Sequence, residues 1–257
     1  LSSKKKLFSL ITFLLLVKYK VKSLIMNINR LFYLILFCYS IAVHSQTIPI
    51  YKITSTPIID GDLSEWKLPF VGSFVKHNSG EKGSQETFTS LSWDDENLYI
   101  AFKCSDSNII GKTRKQDYPI FESDDLVEIF IDPDENGQNY LEVGINAFSS
   151  NYDMIVNCIS KNCGGWKTSI DFDIEELEAV SKITAEGFST EIKIPFISLE
   201  KIQNGNFNKP TIGTKWKGNA FRIDYGNTAE YLALQHYRSS KFGFHQPDEF
   251  AVFEFTQ

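Results

Sequence analysis

The residues best equipped for chemistry in this chain are carboxylates and aromatic rings, and their spacing narrows what they could do. Asp132-Pro-Asp134-Glu-Asn136-Gly137 sets oxygen-bearing side chains at alternate positions ahead of a glycine. A calcium loop opens this way, because the backbone wraps those oxygens round one hard cation. Such a loop closes on a glutamate six residues past the glycine; here Val143 holds that place and Glu142 comes one residue early. The flanks read as strands rather than helices. Asp132, Asp134 and Asn136 therefore read as a hairpin turn, with Ca2+ as the alternative and the one cofactor the residues suggest. Asp60-Gly61-Asp62 offers the same choice of turn or cation site.

Other chemistries find less support. There is no GxSxG, HExxH or P-loop, and His77, His236 and His245 lack the spacing of metal ligands. A glycosidase needs two carboxylates set across a cleft, a geometry that an abundance of acids does not by itself provide. Aromatic residues are dense. A pyranose presents a flat apolar C–H face that an aromatic ring can cover, while amides and carboxylates take its hydroxyls. Aromatics within strands, such as Trp93 in Leu91-Ser-Trp93, read as core. Those in loops are the better ligand candidates: Phe121 in Tyr118-Pro-Ile-Phe-Glu, and Phe244 in Phe242-Gly-Phe-His-Gln-Pro.

The elements that must position these residues are almost all strands. Runs bounded by Gly, Asn, Asp and Pro predict strands at Ile48–Ile53, Phe88–Trp93, Leu98–Cys104, Leu126–Ile131 and Tyr140–Asn146. Further strands are expected at Asp153–Ile159, Phe188–Ile194, Trp216–Tyr225, Tyr231–Gln235 and Phe250–Phe255. Asp94 to Asn97 reads as the turn of a hairpin. Helical turns are expected only at Ile174–Val180 and Ile197–Ile202. Many short strands without helical spacers give an all-β, antiparallel, jelly-roll-like β-sandwich as the fold class.

The first 45 residues differ from the rest. They hold 7 of the 26 Lys and Arg and none of the 32 Asp and Glu, which leaves 19 basic against 32 acidic side chains beyond them, a net charge of −13. So acidic a body repels phosphate backbones and excludes nucleic acid as a partner. Met26 to Arg30 reads as the positive start of a signal peptide at 26–45, with an apolar run from Leu31 to Val43 and small residues before Gln46. That run is too short to span a bilayer, so the protein is not expected to cross a membrane. Residues 1–25 read as upstream translation, and 46–257 as one domain of about 210 residues. The expected location is secreted, periplasmic or cell-surface. Past the leader remain Cys104, Cys158 and Cys163; the last two could close a short loop in an oxidising compartment, and Cys104 reads as buried.

Five segments in order resemble family 9 carbohydrate-binding modules. Ile59-Asp-Gly-Asp-Leu-Ser-Glu-Trp66 is similar to that family's opening, and Leu91-Ser-Trp-Asp-Asp-Glu-Asn-Leu-Tyr-Ile100 to its first hairpin. Asp125-Leu-Val-Glu-Ile-Phe-Ile-Asp132 resembles its central strand. Phe188 to Phe196, with Glu191 and Ile194-Pro195, and Phe244-His-Gln-Pro-Asp-Glu-Phe250 with Phe253-Glu-Phe255, resemble its later strands. The resemblance implies a non-catalytic sandwich that binds saccharides, with calcium in some members and a glycoside hydrolase as a partner. Carried over by motif, aromatic platforms fall at Phe121 and Phe244, a sugar-binding carboxylate at Glu128 and an amide at Asn146, with His245 and Gln246 beside Phe244. Phe stands where the family has Trp, and Gly144 where it has a sugar-contacting Arg. Two alternatives stand beside this reading. One is a haem-binding electron-transfer sandwich ligated by Met154 with His236 or His245; the other is a scaffold domain without a ligand.

Overall fold

The computed structural model describes residues 18, 20–22, 24–26, 47–160, 163–169, 172–202, 207–226 and 228–257. The chain divides into two compact units, Leu1–His44 and Ser45–Gln257. In the first, the described residues between 18 and 26 are helical. Among the described residues no helix is long and apolar enough to cross a membrane. The signal peptide expected at 26–45 and the upstream segment expected at 1–25 lie largely outside the described residues.

The second unit carries the strands β1 (Thr47–Lys52), β2 (Val71–Gly72), β3 (Val75–Lys76), β4 (Thr87–Trp93), β5 (Asn97–Ser105), β6 (Leu126–Asp132) and β7 (Asn139–Asn146). There follow β8 (Asn151–Cys158), β9 (Trp166–Ser169), β10 (Glu178–Ile183), β11 (Gly187–Pro195), β12 (Lys215–Asp224), β13 (Glu230–Ala233) and β14 (Ala251–Thr256). They join in one curled sheet, ordered β10-β11-β5-β4-β1-β14-β12-β6-β7-β8-β9, with β2 on β4 and β13 linking β12 to β3. Pairing is antiparallel except at β1, which runs parallel to both β14 and β4. The all-β sandwich expected from the sequence is the fold observed.

Period-two alternation divides the side chains of the central strands between two apolar clusters. Val127, Ile129 and Ile131 of β6 join Leu141, Val143 and Ile145 of β7 in the main core. There they meet Ile100 and Phe102 of β5, Ile192 of β11 and Phe253 of β14 across the sandwich. Each such buried side chain contributes about 1.5–3 kcal/mol. The intervening residues, Leu126 and Phe130 of β6, Tyr140 of β7, Tyr152 of β8 and Phe221 of β12, form a second cluster on the opposite face. This second face carries the candidate site.

The β4–β5 hairpin closes as expected. Asp94 Oδ1 accepts the N–H groups of Glu96 and Asn97, both at 2.8 Å, and the Tyr99 hydroxyl donates to Asp94 Oδ2 at 2.7 Å. The helical turn expected at Ile197–Ile202 is a 3-10 segment, Phe196–Lys201. The turn expected at Ile174–Val180 is not helical. Glu176 has φ 62°, in the left-handed region that interrupts a right-handed turn. From Glu178 the chain becomes edge strand β10, paired along its length with β11. Cys104 is buried and free, and Cys158 and Cys163 form a disulfide.

Candidate functional site

Register places the floor of the site. Phe221 of β12 stands opposite Glu128 of β6, Glu128 opposite Gly144 of β7, and Gly144 opposite Tyr152 of β8. With no side chain at position 144, the Tyr152 ring lies across the gap and delivers its hydroxyl to Glu128 Oε1 at 2.6 Å. The same hydroxyl is 2.9 Å from Glu142 Oε1. A Cβ on Gly144 would sit 2.3 Å from that ring. Gly144→Val should therefore expel Tyr152 and lower stability by about 1–3 kcal/mol. A urea titration reads the loss; an unchanged midpoint would mean that the ring is not confined there.

Tyr152 has one hydroxyl proton and two carboxyl neighbours. One contact uses that proton, and the other must use a proton on the carboxyl itself. Electrostatics agrees. Burial, with little relief from Tyr152, raises the Glu128 carboxyl to about 7. Burial and the neighbouring Glu128 also raise Glu142 well above the usual carboxylate range. The second oxygens, Glu128 Oε2 and Glu142 Oε2, have no hydrogen-bond partner although their side chains are almost fully buried. Both line a cavity of about 730 Å³.

Aromatic rings form the walls. The His245 ring packs on Phe130 at 5.4 Å and on Trp166 at 4.2 Å between centroids. Its Nδ1 is 2.7 Å from the Tyr140 hydroxyl and its Nε2 is 3.9 Å from Glu142 Oε2. Burial lowers the His245 pKa to about 4, so the ring is neutral at physiological pH. Phe121 meets Tyr152 edge-on at 5.4 Å, and the Tyr225 hydroxyl holds the Phe121 carbonyl at 2.7 Å. Trp166 opens β9 directly after the Cys158–Cys163 disulfide, which ties the intervening loop to the end of β8. Tyr118, Trp166 and Phe242 stay exposed while lining the same cavity. His77 supports the opposite wall: its Nδ1 lies 3.0 Å from the Tyr231 carbonyl, and its Nε2 accepts the Gly243 N–H at 3.1 Å.

The structure brings Phe121, Glu128, Phe244 and His245 to one cavity. Phe244 is mostly buried, with one face stacked on Phe221 at 4.2 Å. Gln246 donates to the carbonyls of Gly243 and Lys241, at 2.7 and 3.1 Å, and so shapes the loop that carries Phe244. Asn146 is fully buried. Its amide donates to Asp124 Oδ2 and to the Lys112 carbonyl, and its oxygen accepts from Phe148 and Ser150. It anchors the loop before β6 and does not line the cavity. Met154 lines the cavity, whereas His236 is an exposed residue away from it. Both ring nitrogens of His245 already face protein groups, so the pair that haem would need is not presented.

The remaining sequence candidates sit in turns. Asp132 Oδ2 accepts the Gly137 N–H at 2.9 Å, and Asn136 donates to Asp134 Oδ2 at 2.7 Å. The Asn136 oxygen accepts the N–H groups of Gln138 and Asn139. Burial and the adjacent Asp134 raise Asp132 to about 7. Asp62 caps Ser64 N–H at 3.0 Å and pairs with Lys182 at 2.9 Å, as a turn residue would. Sequence reasoning left Glu142, Tyr152 and Trp166 unassigned. Trp166 bore one signal, a bulky aromatic in a segment without strand alternation.

A β-sandwich carrying an aromatic-walled, acid-floored pocket on one sheet face is built as a small-ligand binding module. A family model described as carbohydrate family 9 binding domain-like matches residues 59–250, and the chain belongs to that family. A solved structure from Bacteroides uniformis superposes with a TM-score of 0.66 at 14% identity, covering 82% of this chain and all of the other. Family 9 modules from Caldicellulosiruptor kristjanssonii solved with glucose and with cellotriose superpose with TM-scores of 0.55 and 0.57. Their identities are 16% and 17%, over 82% of this chain and 95% and 94% of theirs. By sequence, the chain is 27% identical over 148 residues to exoglucanase XynX of Acetivibrio thermocellus. It is 28% identical over 148 residues to endo-1,4-beta-xylanase A of Thermoanaerobacterium saccharolyticum. Each match takes in 57% of this chain and spans only 12% and 11% of those two enzymes.

Proposed function

We propose that the protein is a non-catalytic saccharide-binding module and that the cavity over Glu128 is its binding site. The observation that carries this is a pair of buried, unpaired carboxyl oxygens beneath exposed aromatic rings. Sugar hydroxyls would donate to Glu128 and Glu142, while Phe121 and Trp166 would cover a pyranose C–H face. The sugars named in the related structures support the same ligand class. Calorimetry against glucose, cellobiose and cellotriose tests the reading. Trp166→Ala and Phe121→Ala should each weaken binding about tenfold, the equivalent of 1.4 kcal/mol. Absence of any saccharide heat, or undiminished affinity in both variants, would overturn it.

The same reading gives the protein a secreted, periplasmic or cell-surface place in carbohydrate breakdown beside a glycoside hydrolase. The basic-then-apolar leader and the Cys158–Cys163 disulfide support export to an oxidising compartment. The two matched relatives, each named as a glycan-degrading enzyme, support the hydrolase partner. Calcium at Asp132, Asp134 and Asn136 is supported by the unpaired, buried Asp132 Oδ1. Against it, Asn136 would have to release the two N–H groups its oxygen now holds.

A further inference from the structure

We infer that the Cys158–Cys163 disulfide is a positioning element of the binding site. It holds Trp166 in place for the ligand, so its loss weakens saccharide binding without unfolding the domain; this rests on the saccharide reading above. β9 ends the sheet, and among the described residues it pairs only with β8. All four residues of β9 are exposed, and Trp166 is 43% exposed although it lines the cavity. Its ring rests on His245 at 4.2 Å between centroids. An edge strand that buries so little of itself opens locally more readily than the core does. Trp166 therefore needs a restraint that the sheet alone does not supply.

The disulfide acts where that weakness lies. Cys158 stands directly opposite Trp166 in the β8–β9 register, so the two side chains leave the sheet on the same face. Cys163 is fully buried in the second apolar cluster, and Cys158 packs against that cluster. The bond thus fixes the chain three residues before Trp166 to the residue that faces it across the ladder. Two backbone bonds close the same end of the hairpin: Ile159 N–H to the Gly165 carbonyl at 2.9 Å, and Cys163 N–H to the Ser160 carbonyl at 3.1 Å. The two cysteines are five positions apart, and so short a cross-link constrains the unfolded chain less than a long one would. Its effect falls instead on the site, because a wall already in place spares the ligand the cost of ordering that side chain.

Four proteins test this by calorimetry: the parent, Cys158→Ala with Cys163→Ala, Trp166→Ala, and all three substitutions together. The ligand is whichever of glucose, cellobiose and cellotriose the parent binds most tightly. Removing the disulfide from the parent should weaken binding about fivefold, whereas in the Trp166→Ala background the same removal should change affinity by less than about 1.5-fold. A disulfide that merely supports the fold would weaken binding equally in both. Without ligand, the fluorescence that Trp166 contributes is the difference between each protein and its Trp166→Ala counterpart. That signal should lose anisotropy once the disulfide is gone. Equal weakening in both backgrounds, undiminished affinity, unchanged anisotropy, or a disulfide-free domain that circular dichroism shows to be unfolded would each overturn the inference and leave the saccharide reading standing. Absence of binding by the parent would overturn both.

Discussion

Replacing Arg222 with Ala should lower the stability of the domain by about 3–5 kcal/mol, because it leaves buried carboxylates without their cation. The guanidinium is completely buried on the core side of β12. It donates to Asp106 Oδ2 at 2.8 Å, Asp224 Oδ2 at 3.0 Å, the Ser105 carbonyl at 2.8 Å and Thr87 Oγ1 at 3.2 Å, and it lies over the Phe188 ring at 5.4 Å. The carboxylates of Asp106, Asp125 and Asp224 converge within 4.8 Å of one another. One cation thus pairs with two of three clustered buried acids, and the third, Asp125, is already raised to about 6 by burial. Removing the cation strands the others in low dielectric. At about 2–4 °C per kcal/mol for a domain of this size, calorimetry should show a melting temperature lower by roughly 6–20 °C. Arg222→Lys should recover only part of the loss, because an ammonium cannot present the planar fork that two carboxylates share. Adding Asp106→Asn and Asp224→Asn to Arg222→Met should recover more. A melting point in Arg222→Ala within 2 °C of the parent's would refute the assignment.

The sandwich was legible wherever one strand's own residues determine its faces. In Leu126-Val-Glu-Ile-Phe-Ile-Asp132 the apolar run is buried on both sides, and its flanking turns bound it. The helical turn expected at Ile174–Val180 gives way to strand from Glu178 because that short apolar spacing suits either state; the ladder with β11 decides the matter, and that partner lies outside the segment. Trp166–Ser169 carries no alternation and is exposed throughout, so its strand character comes only from pairing with β8. The site divides the same way. Phe121, Glu128 and Phe244 sit in recognisable local motifs. Glu142 and Tyr152 become site residues only through register, because Gly144 must stand opposite both Glu128 and Tyr152 for the ring to cross between strands. Asn146 shows the limit of carrying a role by motif, since its four hydrogen-bonding positions are occupied by the loop before β6 and the turn after β7.

The Glu128–Tyr152–Glu142 cluster should make the domain less stable as pH rises from about 5 to about 8. Glu128 has its carboxyl raised from an ordinary 4.5 to about 7, so the folded protein holds that proton more tightly than the unfolded chain. The resulting stabilisation is complete below about 4.5 and is lost as pH climbs through about 7. At 1.4 kcal/mol per unit the loss from Glu128 is roughly 3 kcal/mol. Glu142 is raised by burial and by Glu128, and adds to the fall in the same direction. Carboxylates with lowered values act oppositely and at lower pH: Asp62, held near 2 by Lys182, loses its contribution only as pH falls through that region. The melting temperature should therefore peak near pH 5, and calorimetry at pH 5, 6, 7 and 8 should follow its decline. Glu128→Gln with Glu142→Gln should flatten most of the slope and raise the melting point at pH 8, because amides keep the shape without the buried charge. Asp125 and Asp132, raised to about 6 and about 7 elsewhere in the domain, should leave a residual slope of the same sign. A double variant whose profile overlays the parent's would mean that the carboxyls ionise freely at neutral pH. Tyr152 would then lie between two full negative charges with one proton to give, an arrangement its 2.6 and 2.9 Å contacts contradict.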